Sequence, residues 1–211
     1  MMQHIRVSEI LAQFRNLSMI NPTVLREKGL IGTEVHKNIH EYKTGGLEIF
    51  DIYPMRDRNG DIKQKDNVPL WEERGKTYFD SYVMWDKENK PKFGIMEERY
   101  YDDNLMITGQ IDALMTTSSL PVLVDFKCAY NADLEMWSMQ AHYYKHLLQH
   151  NGIEIADHFL FLKLDSKGRI PAVHEIKFDE KMRARCIFEA ISLKKKKKDA
   201  ENVATNDADI V

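Results

Sequence analysis

Two short runs constrain this chain more than anything else in it: Gly109-Gln110-Ile111-Asp112, and Val122-Leu123-Val124-Asp125-Phe126-Lys127. The second begins apolar on both faces and then turns charged, which is the pattern of a central strand that emerges at its end rather than of an exposed edge. Side chains alternate along a strand, so Asp125 and Lys127 share one face while Phe126 points to the other and can enter the core. If the strand ending in Asp112 pairs beside it, two carboxylates and one ammonium meet at a sheet edge.

That set has a definite chemistry. Two carboxylates suit a hard divalent cation such as magnesium, which takes oxygen ligands and keeps several waters. A lysine beside them can orient or help deprotonate a metal-bound water next to a phosphate. Blander readings compete for each residue alone: Asp112 as a turn residue at a strand end, and Asp125 with Lys127 as an exposed ion pair worth little. The apolar run before Asp125 opposes the second of these. Downstream, Gln140 and Tyr144 stand one helical turn apart and project together. Gln can donate or accept hydrogen bonds, and Tyr adds a hydroxyl and a face that can stack on a base. Trp137, Ala141, Tyr144 and Leu148 also trace an apolar stripe, so for Tyr144 a packing role remains open. His36 and His40 share a helix face beside Val35, Ile39 and Tyr42. His142 is expected to face away from Gln140.

The remaining pattern alternates helices and strands. Ile10, Leu11 and Phe14 predict a helix over Val7–Asn16, capped by Ser8. Asn21-Pro22 marks a break and a new helix start, and Gly32-Thr33 then opens a helix to about Lys43 that Thr44-Gly45-Gly46 stops. Residues 51–68 are polar, with a turn at Arg58-Asn59-Gly60-Asp61, and read as a loop. Trp71, Tyr78, Phe79, Tyr82 and Trp85 predict a helix over Leu70–Lys87. Strands follow near 93–101, 105–115 and 121–127, the first two joined by a hairpin at Asp102-Asp103-Asn104. A helix over Asp133–His150, strands near 157–164 and 172–178, and a last helix from Asp179 into Lys194–Lys198 complete residues 1–198 as a single expected domain. Residues 199–211 are acidic, lack periodicity and are expected to be disordered. The five lysines suit a DNA backbone or a localisation patch; a solvated helix end is the plain alternative.

Composition narrows the class. With 43% hydrophobic residues over 211 positions, the chain has an ordinary globular make-up and enough length for a substantial core. No run approaches the roughly 18–20 apolar residues of a membrane helix, and the first residues show no secretory signal. A cytoplasmic setting, or the compartment that holds DNA, is the default expectation. Cys128 and Cys186 are the only cysteines, too few for the four thiolates of an iron–sulfur cluster, and none is expected. The net charge of −3 gives no global pull on nucleic acid. Basic residues would need to line only one groove, with Arg99, Lys145, Lys163, Lys167 and Arg169 as candidates.

Taken in order, the motifs resemble those of the PD-(D/E)XK nuclease superfamily, and within it the RecB-like exonuclease branch. That pattern is a helical His (His36 in Gly32-Thr33-Glu34-Val35-His36), Gly-x-x-Asp (Gly109 to Asp112), Asp-x-Lys (Asp125 to Lys127) and Gln-x-x-x-Tyr (Gln140 to Tyr144). Glu97 matches an acidic position on the preceding strand, with Glu98 as its competitor. The likeness runs from Val7 to about Phe178, and relatives such as mitochondrial genome maintenance exonucleases and phage RecB-like nucleases are similar. The resemblance implies a restriction-endonuclease-like α/β core, a central mixed β-sheet flanked by helices. It also implies magnesium- or manganese-dependent cleavage of DNA from its ends, with a preference for single-stranded ends. His36, Asp112, Asp125 and the Phe126 carbonyl would hold the metal. Asp112, Asp125, Lys127 and Glu97 would form the catalytic set, and Gln140 and Tyr144 would line the DNA path. DNA is the expected partner, with no membrane, and a recombination or replication protein is a further candidate. A structure-specific endonuclease on the same core is the alternative, and a non-catalytic DNA-binding module a weaker one, because every charged member is present.

Overall fold

Strand β1 (Ile5–Arg6) leads straight into helix α1 (Val7–Ala12), and the long helix α2 (Pro22–Thr44) follows. Four short strands come next: β2 (Ile52–Pro54), β3 (Gln64–Lys65), β4 (Val68–Pro69) and β5 (Trp71–Glu73). Helix α3 (Lys76–Asn89) then precedes the long strands β6 (Phe93–Asp102), β7 (Ile107–Met115) and β8 (Val122–Lys127). Helix α4 (Leu134–His150), strands β9 (His158–Lys163) and β10 (Ala172–Lys177), and helix α5 (Glu180–Ala208) complete the order. The structure is a computed structural model that describes residues 3–15, 20–57 and 59–208, with side chains to 199.

Six strands form one mixed sheet. β7 is antiparallel to β6 and β8, β8 is parallel to β9, and β10 returns antiparallel to β9. The parallel β8–β9 step requires a crossover, which α4 supplies. Each face of the sheet carries its own core. On one side α1, α4 and α5 pack against Ile107, Ile111, Leu123, Phe159 and Phe161. On the other, Ile31, Val35 and Ile39 of α2 and Tyr78, Phe79, Tyr82 and Trp85 of α3 pack against Val124, Phe126 and Leu162. The fold is thus a central mixed β-sheet flanked by helices, with β8 buried on both sides as its apolar run requires.

β7 has an unusual far edge. β6 accompanies it along one side from Ile107 to Met115. On the other side β8 pairs only with Ala113–Met115, while β1 pairs with Ile107 and Thr108. Between these two partners the edge is open, and Asp112 lies at the opening. Alternation also breaks there: Ile111 and Leu114 both enter the α4-side core, whereas Ala113 enters the other.

Several local expectations change. A helix does start at Asn21-Pro22, with the Asn21 side chain accepting from the Thr23 amide at 2.9 Å, but it runs unbroken through Gly32 to Thr44 as α2. Gly29 and Gly32 each weaken a helix by about 1 kcal/mol, but burial of Ile31, Val35 and Ile39 along one stripe outweighs them. α1 is capped at Arg6, not Ser8, because the chain arrives as strand β1; its expected end at Asn16 lies outside the described residues. Residues 51–68 are not a plain loop, for β2 pairs with β5 and β3 with β4 in two small ribbons. Arg58 of the expected turn is outside the described residues, while Gly60 sits at φ +91°. Trp71 belongs to β5 and is 60% exposed, so the helix starts only after Gly75. Gly75 has φ +76°, and a Cβ there would come within 2.6 Å of Val35 Cγ2, which ties the start of α3 to α2. α5 runs on past Lys198 into the segment expected to be disordered; no Gly or Pro interrupts residues 180–208.

Candidate active site

The opening between β7 and β8 collects charged groups from both layers of the fold. Asp112 ends the regular part of β7, and its Oδ2 accepts the Phe126 amide at 2.7 Å. A side chain thus takes the place of a ladder carbonyl where the two strands part. From α2, His36 reaches in: its Nε2–H donates to the Phe126 carbonyl at 2.8 Å, which turns Nδ1 toward the carboxylates. Nδ1 lies 3.3 Å from Asp112 Oδ1 and 3.5 Å from Glu97 Oε1. Donor atoms of His36, Glu97 and Asp112 all fall within 4.8 Å of one another, the spacing a single cation needs.

Glu97 reaches this point by an uncommon backbone. Its φ is +52°, left-handed for a strand residue that carries a Cβ. Across β6 and β7 the pairs Met96–Ala113 and Glu98–Ile111 bracket Glu97 and Asp112, so both strands are irregular at the same level. Glu98 is exposed and points away. Of the two acidic candidates only Glu97 enters the site, and of the two histidines on α2 only His36 does.

Asp125 and Lys127 share the α4-side face, as strand alternation requires, and Phe126 is buried in the opposite core. Lys127 Nζ stands 2.5 Å from Asp125 Oδ1. Gln140 on α4 joins the two: its Oε1 accepts from Lys127 at 2.7 Å and its amide donates to Asp125 Oδ2 at 2.9 Å. The same amide nitrogen lies 3.0 Å from the Tyr144 hydroxyl. Gln140 and Tyr144 therefore sit inside the charged cluster itself. Tyr144 also packs on Gly109, where a Cβ would approach its ring to 2.7 Å, so the first position of Gly-x-x-Asp is a contact requirement.

The residues differ electrostatically. Burial disfavours a charged His36, but Asp112 and Glu97 outweigh it and hold the imidazole well above the ordinary histidine range. Burial also works against the Asp112 carboxylate, yet His36, Lys127 and the Phe126 N–H bring it below the usual carboxylate range. Burial and then the Asp112 charge push Asp125 up to about 7, with Lys127 opposing. One carboxylate oxygen, Glu97 Oε1, is buried without a hydrogen-bond partner, whereas Asp125 Oδ1 is met by the Lys127 ammonium. An orphaned buried acceptor is costly, and a divalent cation would satisfy it. The donor set of one imidazole and two carboxylates suits a divalent cation.

The compact donor group is His36, Glu97 and Asp112. Sequence reasoning centred the cation on Asp112 and Asp125, whereas Asp125 is engaged by Lys127 and Gln140, and the Phe126 carbonyl by His36. Gln110 was missed: its Nε2 donates to Glu97 Oε2 at 2.7 Å, and its Oε1 accepts from Arg99 at 2.9 Å. The strand period of two, which puts residue 110 on the side of 112, was the available signal. Lys145 is withdrawn from the basic groove. It is 4% exposed, with its ammonium on Asp157 and the carbonyls of Ile155 and Ala156. His142 stays outside the site, donating to the Ser138 carbonyl and accepting from the Asp179 amide.

A cleft of about 1190 Å³ opens beside the cluster. Cys128, the residue after Lys127, and Ile31, on the helix of His36, line its inner part, and Tyr130 stands at its rim, 92% exposed. Lys28, Arg56 and Lys63 also face it. Among the described residues no helix is long and apolar enough to cross a membrane.

No protein-family model matches the chain, and no curated protein matches it. Among solved structures it is similar to LHK-Exo in complex with dAMP, at 11% identity and a TM-score of 0.49 over 99% of this chain and 95% of that one. A protein of Eubacterium rectale described as an exonuclease gives 12% identity and a TM-score of 0.45 over 77% of this chain and 64% of that one. At such values the function has to be argued from the site itself.

Proposed function

We propose that this chain is a magnesium- or manganese-dependent deoxyribonuclease of the RecB-like PD-(D/E)XK type, hydrolysing phosphodiester bonds from DNA ends and preferring single-stranded ends. The observation that carries the reading is the convergence of His36, Glu97 and Asp112, with the buried Glu97 Oε1 lacking a hydrogen-bond partner, beside an Asp125–Lys127 pair. His36, Glu97 and Asp112 would hold the ion, with Asp125 beside them holding Lys127. A divalent cation bound there supplies an acidified water and offsets charge on the phosphoryl oxygens.

The chain's own groups do the rest. Lys127, fixed between Asp125 and Gln140, is placed to orient the attacking water and to offset negative charge that grows on the phosphate. Gln140 keeps ammonium and carboxylate in register, and Tyr144 fixes Gln140 from the other side. The Phe126 carbonyl sets the ring of His36, so that Nδ1 faces Asp112 and Glu97, where the ion would be held. Tyr130 at the cleft rim offers a face on which an unpaired base can stack.

End-labelled linear single-stranded DNA with magnesium or manganese tests this. Wild-type protein should release nucleotides progressively, Asp112→Asn should not, and a circular single strand should survive. Cutting of the circle would make the enzyme an endonuclease. Inert linear DNA with either metal would leave a DNA-binding module.

A further inference from the structure

Glu97 holds a left-handed conformation inside a strand, at φ +52°, which a residue with a Cβ rarely adopts. Its two carboxylate oxygens have different fates. Oε2 accepts from Gln110 at 2.7 Å, while Oε1 is buried, has no hydrogen-bond partner and faces His36.

Gln110 can make that bond in only one orientation. It pairs with Arg99 across β6 and β7, and its Oε1 accepts from the Arg99 guanidinium at 2.9 Å. Arginine only donates and a carboxylate only accepts. A flipped amide would set its NH₂ against the guanidinium and its oxygen against Glu97, losing both bonds. Arg99 thus dictates which end of Gln110 meets Glu97. Arg99 is exposed and Gln110 half-buried, and neither touches His36, Asp112 or Asp125 in any hydrogen bond or ion pair of the structure.

We propose that Gln110, oriented by Arg99, is a positioning residue for Glu97: it occupies one carboxylate oxygen and presents the other to a divalent cation as a single-oxygen ligand. The inference rests on the cation reading of the site given above. Neighbours of this kind that orient a metal ligand change metal affinity by roughly 10–100-fold when removed.

Mn²⁺ binding to the full chain, followed by electron paramagnetic resonance without DNA, tests it in four proteins. Wild type should bind, and Asp112→Asn should lose binding. Gln110→Leu should weaken Mn²⁺ by about tenfold with an unchanged melting temperature, and excess Mn²⁺ should restore cleavage. Arg99→Ala, an exposed change that leaves the fold alone, should weaken Mn²⁺ in the same direction and add nothing in the Gln110→Leu background. Affinity within about twofold of wild type in Gln110→Leu and Arg99→Ala, with Asp112→Asn unable to bind, would overturn the positioning role and leave the cation site standing. Wild-type binding by Asp112→Asn would remove the cation site, and the positioning role with it.

Discussion

Replacing Glu97 by glycine and by alanine separates what its backbone costs from what its carboxylate does. Both changes delete the same charge from the same cluster, so electrostatic relief cancels in the comparison. What remains is conformational. At φ +52° a residue with a Cβ is strained by about 1–2 kcal/mol, which glycine escapes. Against this, glycine has more freedom to lose on folding, about 0.5–1 kcal/mol in a strand. The balance favours Glu97→Gly over Glu97→Ala by about 0–1.5 kcal/mol. Glu98 is the internal control: it is exposed, adjacent, and not among the residues with positive φ. There the order should reverse, with Glu98→Gly less stable than Glu98→Ala by about 0.5–1 kcal/mol. Urea unfolding at neutral pH without divalent ions, read as midpoints at equal slopes, measures all four variants. Both Glu97 variants should fail to cleave DNA, so the more stable protein would also be an inactive one. If Glu97→Gly proves less stable than Glu97→Ala, as at position 98, the left-handed turn does not store strain and β6 is not bent at a cost to deliver this carboxylate.

Three further outcomes are expected. Gly109→Ala should lose about 1–3 kcal/mol in thermal or urea unfolding, because the new Cβ would lie 2.7 Å from the Tyr144 ring; wild-type stability would show that the ring is free to move. Tyr144→Phe should keep the melting temperature and lower the cleavage rate, and Gln140→Ala should lower turnover by about 1.5–3 kcal/mol in activation free energy through the loss of bonds to two charged groups. Normal cleavage by both would reduce α4 to a support. Asp102 concerns stability and pH: burial opposes its charge, but His146, the Leu105 and Asn104 amides and His150 hold it below the usual carboxylate range. A depressed carboxylate stabilises above its unfolded pKa and loses that contribution as pH falls through the folded value. Asp102→Asn should therefore be less stable than wild type at neutral pH, with the gap closing in acid; a gap independent of pH would mean the charge is irrelevant.

The parts of this protein that follow a regular period were readable, and the parts that break it were not. The buried run Val122–Val124 and the same-face placement of Asp125 and Lys127 follow from alternation alone, as does the order of the long strands and α4. Glu97 and Glu98 could not be separated, because the choice depends on a left-handed residue that no alternation rule contains. The start of α3 was set too early because Trp71 counts as apolar in any helical stripe, while Gly75, the residue that fixes the boundary, was read as an ordinary helix position. Lys145 looked like a groove cation, and only the fold shows its ammonium turned inward onto two carbonyls. Which acidic groups join His36 was not legible, because it is decided by where β8 leaves β7, a tertiary fact.

The Phe126 amide gives that parting of strands a practical use. Most backbone protons in a sheet report only on their ladder, but this one is bonded to the free-standing carboxylate of Asp112. Its proton resonance should sit far downfield and move whenever the charge on Asp112 is shared with something else. In a magnetic resonance spectrum, one signal next to the candidate site would then track the binding of a cation at Asp112. No substrate, label or cleaved product is needed to read it. The neighbouring Val124 amide, held within the intact β7–β8 ladder, serves as the silent reference.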